Sequence, residues 1–156
     1  MALAKSKYID LSVAPWTMHE FFAGSGLVGY GLQGMFAPIW ANDISEQKAA
    51  VYTANFGDEH FWLDDIKNIN GTEIPYANMS WASFPCQDLS LAGSLGGIHA
   101  SRSGLVWEWL RILDEMTEQP KILVLENVTG LLSTNNGDNY SVLHHALAER
   151  NYNCGA

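Results

Sequence analysis

The segment Lys121-Ile-Leu-Val-Leu-Glu126 sets four consecutive apolar residues between two charges. A strand that is apolar at every position has no face to offer to water, so it belongs inside a parallel sheet covered by helices on both faces. Parallel strands need crossover connections, and the rest of the chain supplies them. Short strand-like runs at Trp16–Phe22, Ala37–Asn42, His60–Leu63 and Asn78–Phe84 alternate with helix-like stretches. Leu27–Met35 is a weak helix, diluted by Gly29, Gly31 and Gly34. Ile44–Asn55 is a stronger one, with Ser45 as its cap and Phe56-Gly57 as its stop. Helices are also expected over Leu105–Met116 and Tyr140–Arg150, and Asn151–Ala156 reads as the entry to another strand. The fold class that follows is α/β, a doubly wound and mostly parallel sheet.

Composition narrows the function classes. A chain of 156 residues suits one domain, and 47% hydrophobic against 16% charged residues excludes disorder. No apolar run is long enough to span a bilayer, and no apolar h-region follows Lys5 and Lys7, so a cytoplasmic protein without a membrane partner is expected. The net charge of −9 opposes binding to a phosphate backbone. Either nucleic acid is not a partner or the basic part lies elsewhere. Cys86 and Cys154 make no disulfide framework and no zinc-ligand spacing, so no metal is expected. Cys86, between Pro85 and Gln87, reads either as a nucleophile or as a buried structural thiol.

The chemistry-bearing residues gather at strand ends. Phe22-Ala23-Gly24-Ser25-Gly26 follows the first strand, where paired glycines let the backbone approach a ligand. They fit a plain tight turn as well. Asn42-Asp43 ends the second strand, where a carboxylate can take ribose hydroxyls. Asp65-Ile66 follows the third, where a carboxylate can accept from an adenine amine. Each acid alone also reads as a solvated loop residue. Together they describe an adenosine crevice, and without a P-loop lysine S-adenosylmethionine fits it better than a nucleoside triphosphate. Phe84-Pro85-Cys86-Gln87 ends the fourth strand and Glu126-Asn127-Val128 the fifth. A glutamate closing a buried strand is costly unless partnered or used. The glycine- and serine-rich stretch Gln87–Ser103 is long for a loop without a function.

These pieces, in this order, resemble the cytosine-C5 DNA methyltransferase family. Phe22–Gly26, Asn42-Asp43 with Asn55-Phe56-Gly57, Asp65-Ile66, Phe84–Gln87 with Ser90, Ser101-Arg102-Ser103-Gly104-Leu105 and Leu125–Val128 match six of its motifs. The resemblance implies a Rossmann-like methyltransferase fold that stops before its last strands. Residues 1–16 are then an extension, and 17–156 an incomplete catalytic domain. It implies S-adenosylmethionine lined by Phe22, Ala23, Gly24, Ser25, Gly26, Leu27, Asn42, Asp43, Asp65, Ile66, Pro85 and Leu105. Cys86 would add to C6 of a flipped cytosine while Glu126 contacts its N3 and amine. Asn127 would fix the cysteine loop, Arg102 would reach the pocket or a phosphate, and Gln87–His99 would be the mobile catalytic loop.

The family's later arginine motif, target-recognition region and closing cofactor motif have no counterpart in these residues. The resemblance thus implies DNA as partner through that region, a C-terminal partner chain as an option, and little activity for these residues alone. Such enzymes serve restriction–modification systems, with a nucleoid setting in a bacterium and a nuclear one in a eukaryote. Two other readings stay open: a tRNA cytosine-C5 methyltransferase, and a non-catalytic cofactor-binding or assembly subunit.

Overall fold

The five apolar runs pair side by side, all in parallel, in the order β3-β2-β1-β4-β5. The computed structural model describes residues 14–85, 104–129, 131 and 137–155. Its elements are β1 (Trp16–Phe21), α1 (Leu27–Gly31), β2 (Phe36–Asp43), α2 (Glu46–Phe56), β3 (Phe61–Leu63), β4 (Met79–Ala82), α3 (Leu105–Glu115), β5 (Ile122–Leu125) and α4 (Asp138–Ala148). Two single-turn 3₁₀ segments, Ile66–Asn68 and Gly71–Glu73, lie between β3 and β4. Two compact units emerge: Met1–Ser83 with Glu108–Glu126, and Phe84–Trp107 with Asn127–Ala156.

The first unit holds the sheet. Met18 and Phe21 of β1, Trp40 and Ala41 of β2, Met79 and Ala82 of β4, and Trp109, Leu110, Ile112 and Leu113 of α3 are among its buried apolar residues. Trp109 closes its polar account by donating from Nε1 to Ser80 Oγ at 3.0 Å, as a buried indole must. Pro38 sits inside β2, an interior strand of the sheet, which a proline tolerates only at an irregularity. The register of β1 on β2 slips there, with Met18 opposite Pro38 and His19 opposite Trp40. Ser45 caps α2 by accepting from the Lys48 N–H, and Gly57, at φ 87°, ends it.

Arg111 of α3 clamps the segment after β3. It pairs with Glu108 (2.8 Å) and Glu115 (2.7 Å) and donates to the carbonyls of Ile66 (3.2 Å) and Ile69 (3.1 Å). Glu115 in turn accepts from the Gly71 N–H at 2.9 Å, and that bond with the Arg111 pair holds its carboxyl below the usual range.

Several expectations are corrected. The helix expected over Leu27–Met35 is only five residues long, because the chain turns through Gly34 at φ 79°. Strand β5 is not fully buried: Ile122 is 47% exposed and Leu123, Val124 and Leu125 are half-buried, since β5 is the sheet's outer strand among the described residues. Residues 152–155 form no strand. The chain reverses at Asn151, φ 65°, and the Tyr152 N–H returns to Leu147 O. In the second unit α4 buries Leu143, Ala146 and Leu147. No described helix is long and apolar enough to cross a membrane.

Candidate active site

At the carboxyl edge of the sheet, the chain leaves β1 through Phe22 (φ 56°), Gly24 (φ 59°) and Gly26 (φ 82°). Positive φ at Gly24 and Gly26 is the conformation that glycine adopts without steric cost. The buried carboxylate of Asp43, at the end of β2, holds this turn. Asp43 Oδ2 accepts from the Gly24 N–H at 2.8 Å, and Oδ1 accepts from the Ser45 N–H at 2.9 Å. Charge-assisted bonds of this kind are about twice as strong as neutral ones. Each oxygen keeps a second lone pair for another donor.

Asn42, also buried, faces the other neighbour. Its amide donates to Trp62 O (2.9 Å) and Asp64 O (2.8 Å), so both its N–H groups hold the end of β3. Its backbone carbonyl accepts from the Ala23 N–H at 2.9 Å. Asp65 is half-buried and caps the first 3₁₀ turn, accepting from the Lys67 N–H at 3.0 Å through Oδ1. Asp43 therefore ties down the glycine turn and Asn42 the acidic one. Ile66 is buried in the core and Ala23 lies nearly so, whereas Leu27 is 78% exposed beside the turn.

Two residues at this edge escaped the sequence reading. Ile44, directly after Asp43, is 68% exposed, and Leu63, opposite Asp43 in register, is 48% exposed. An apolar side chain immediately after a strand-end acid was the available signal. His19 and Glu20 were also read only as members of an apolar run. Both are fully buried in β1. His19 donates from Nε2 to Pro75 O at 2.7 Å, leaving Nδ1 without a partner, and burial lowers its pKa to about 4. Burial raises the Glu20 pKa to about 7.

Glu126 follows β5, and its N–H donates to Ala82 O at 3.0 Å. Its side chain is exposed, so the burial cost expected of it does not arise. In the second unit Phe84 is buried, Pro85 exposed and Leu105 half-buried at the start of α3. There the Asn127 amide donates to Phe84 O at 2.8 Å while its Oδ1 accepts from the Val128 N–H at 2.9 Å. Cys86, Arg102 and the loop Gln87–His99 lie outside the described residues.

The family model for C-5 cytosine-specific DNA methylases matches residues 16–156. The chain belongs to that family. It is 33% identical over 136 residues to the type II methyltransferase M.Bsp6I of Bacillus sp. (strain RFL6), covering 85% of this chain and 42% of the relative. It is 33% identical over 137 residues to the type II methyltransferase M.BsuFI of Bacillus subtilis, covering 87% and 32%. The fold is shared with a prophage-encoded putative DNA modification methyltransferase from E. coli, at a TM-score of 0.64, 19% identity and coverage of 86% and 38%. It is shared too with the S. pombe Dnmt2 methyltransferase, at a TM-score of 0.62, 19% identity and coverage of 83% and 39%. The chain thus spans about two-fifths or less of the curated relatives' length.

The methyl donor of this family is S-adenosylmethionine, and the carboxyl edge suits it. A side chain's worth of space is open above Gly24, where a Cβ would find its nearest neighbours only at 4.0 Å. Two carboxylates with spare lone pairs stand at the ends of β2 and β3, beside the exposed apolar surfaces of Ile44 and Leu63.

Proposed function

We propose that this chain is the cofactor-binding and nucleophile-bearing part of an enzyme that methylates C5 of cytosine in DNA. Residues 17–156 make up that part of the catalytic domain. The observation that carries this reading is the family match over residues 16–156, joined to the gathering of Gly24, Asp43, Asp65 and Glu126 at successive carboxyl ends of one parallel sheet. Ligands of open α/β sheets bind at that edge.

The glycine turn would receive the cofactor's backbone-facing side, with Phe22, Ser25 and Leu27 around it. Asp43 would accept from the ribose hydroxyls and Asp65 from the adenine amine, between the apolar surfaces of Ile44 and Leu63. When bound, S-adenosylmethionine supplies an electrophilic methyl group on a sulfonium. Asn42 and Ile66 support this site from beneath, and the family resemblance assigns Pro85 and Leu105 to the cofactor as well.

The Cys86 thiolate would form a bond to C6 of the target cytosine, turning C5 into a carbon nucleophile. Glu126, exposed at its strand end, would hold N3 and the exocyclic amine and so offset the charge that reaches the ring. After C5 is methylated, loss of its proton and departure of the Cys86 sulfur restore the aromatic ring. Asn127 fixes the strand end before Cys86 through Phe84 O, and Arg102 would reach the flipped base or a phosphate. DNA is the partner. Target recognition would fall to sequence other than these residues, in the same chain or a partner, and these residues alone are expected to transfer little methyl.

Trapping tests the reading. DNA bearing 5-fluorocytosine, with S-adenosylmethionine and the full-length protein, should give a covalent adduct that Cys86→Ser abolishes. An adduct that survives Cys86→Ser removes Cys86 from the mechanism. Adduct with tRNA in place of DNA would move the substrate to RNA, and cofactor binding without any adduct would leave a non-catalytic module.

A further inference from the structure

Beneath the glycine turn lies a carboxyl group that no step above employs. Glu20 is 1% exposed, and no side chain donates to Oε1 or Oε2, which only the backbone N–H groups of Val28 and Gly29 face. A buried carboxylate without a cation is strongly disfavoured and tends to take up a proton instead. Its surroundings are tight. A Cβ on Gly29 would stand 3.0 Å from Glu20 Oε2, 3.3 Å from Pro38 and 3.4 Å from Phe56. Helix α1 thus rests on this carboxyl through Gly29, only three residues after Gly26 ends the turn. Gly26 is itself the N-cap of α1 and has no side chain to cap it.

From α1, the backbone N–H groups of Val28 and Gly29 face the carboxyl and favour its charged form. Helix α2 presents Tyr52, whose hydroxyl pairs with His60 Nε2 at 3.2 Å and whose pKa is raised by burial and by Glu20. Burial lowers the pKa of His60, so that pair brings no positive charge at neutral pH. Strand β2 presents Pro38 and Ala41, and β4 sets Trp81 opposite in register. Among the described residues no cation pairs with Glu20.

We propose that Glu20 is a positioning residue for the cofactor turn: its neutral acid, packed under Gly29, seats α1 and the Gly24–Gly26 segment, and its ionisation unseats them and weakens cofactor binding. This rests on the cofactor site assigned above, and the two can fail separately. Burial as the dominant influence places the titration near pH 7, between the ordinary glutamate range and full suppression of the charge.

The test uses the full chain without cofactor and then with it. In ¹⁵N–¹H spectra the amide signals of Gly24, Gly26 and Gly29 should move together with one midpoint near neutrality. Glu20→Gln should hold them at the low-pH position. The ¹³C resonance of the Glu20 carboxyl in the unaltered chain reports the same midpoint even if that variant fails to fold. Calorimetry with S-adenosylmethionine should show affinity weakening by about tenfold between pH 5.5 and 8.5 in the unaltered chain and staying flat in Glu20→Gln. A carboxyl midpoint in the ordinary glutamate range overturns the inference, as do glycine signals indifferent to it or a Glu20→Gln affinity that keeps the pH dependence. Coupled glycine titration with no cofactor binding at any pH would leave the positioning role standing and defeat the cofactor site.

Discussion

His19 and Glu20 are neighbours in β1 with opposed titrations, and together they predict an unusual stability profile. The Glu20 pKa rises from 4.5 to about 7 on folding, and that of His19 falls from 6.5 to about 4. For Glu20 the folded state holds a proton that the unfolded state has lost, so its contribution is complete below pH 4.5 and is lost as pH rises through about 7. For His19 the unfolded state holds the extra proton, so its contribution is complete above 6.5 and is lost as pH falls through about 4. Each slope is about 1.4 kcal/mol per pH unit, so each group moves stability by roughly 3 kcal/mol over its own window. Between 4.5 and 6.5 the two slopes cancel. Urea unfolding of the unaltered chain, Glu20→Gln and His19→Gln at half-unit pH steps exposes them. The difference between Glu20→Gln and the unaltered chain should grow in favour of the variant from pH 4.5 to 7, and the other carboxylates cancel in it. His19→Gln should lose ground relative to the unaltered chain as pH rises from 4 to 6.5, because the benefit that grows in the original is missing. Difference curves that stay flat across these windows would refute the burial argument for both residues.

Two further outcomes follow from the glycine turn. Gly26→Ala places a Cβ that overlaps the Phe56 ring at a φ of 82°, so it should cost roughly 2–4 kcal/mol of stability by urea titration. Asp43→Asn keeps one acceptor oxygen but turns an NH₂ toward either the Gly24 or the Ser45 N–H. One buried donor loses its partner, which costs about 1–3 kcal/mol, and S-adenosylmethionine binding measured by calorimetry should weaken by at least about tenfold.

Strand ends were legible because two independent patterns met there. Apolar runs marked the strands, and glycine, acid or, after β4, Pro85-Cys86 followed each one at the edge where parallel strands all finish. What those residues do to one another was not legible. That Asp43 grips the Gly24 N–H depends on the register that puts Phe21 beside Asn42, and a one-residue slip would break it. That register in turn depends on the irregularity at Pro38, which pattern alone does not reveal. Glu20 and His19 vanished into β1 because a short strand between other strands can bury both of its faces, so no period distinguishes polar residues that point inward. The apolar pattern of Ile122–Leu125 suggested full burial, but burial depends on what covers both faces and the outer edge, and Ile122 stays 47% exposed. Arg111 looked like one more charge on an amphipathic helix. Its bonds to Ile66 O and Ile69 O appear only when α3 and the segment after β3 meet.

The polar side chains of the first unit divide into two roles that sequence types do not separate. Asn42 and Arg111 direct their donors to backbone carbonyls at 2.8–3.2 Å. Such bonds fix main chain but offer little to a ligand, because the donors are already engaged. Asp43 and Asp65 use carboxylate oxygens to receive backbone N–H groups and retain lone pairs, so they fix the main chain and can still accept. An acid at a strand end can therefore serve as brace and ligand at once, whereas an amide whose N–H groups are both engaged serves mainly as a brace. On this ground Asp43 and Asp65 belong to the cofactor contact and Asn42 to its foundation. The same logic explains why Glu20 stands apart. It is an acid at the same edge, but it lies under the turn rather than beside it, where no side chain donates to it and only the Val28 and Gly29 N–H groups face it, and its charge rather than its lone pairs becomes the quantity that matters.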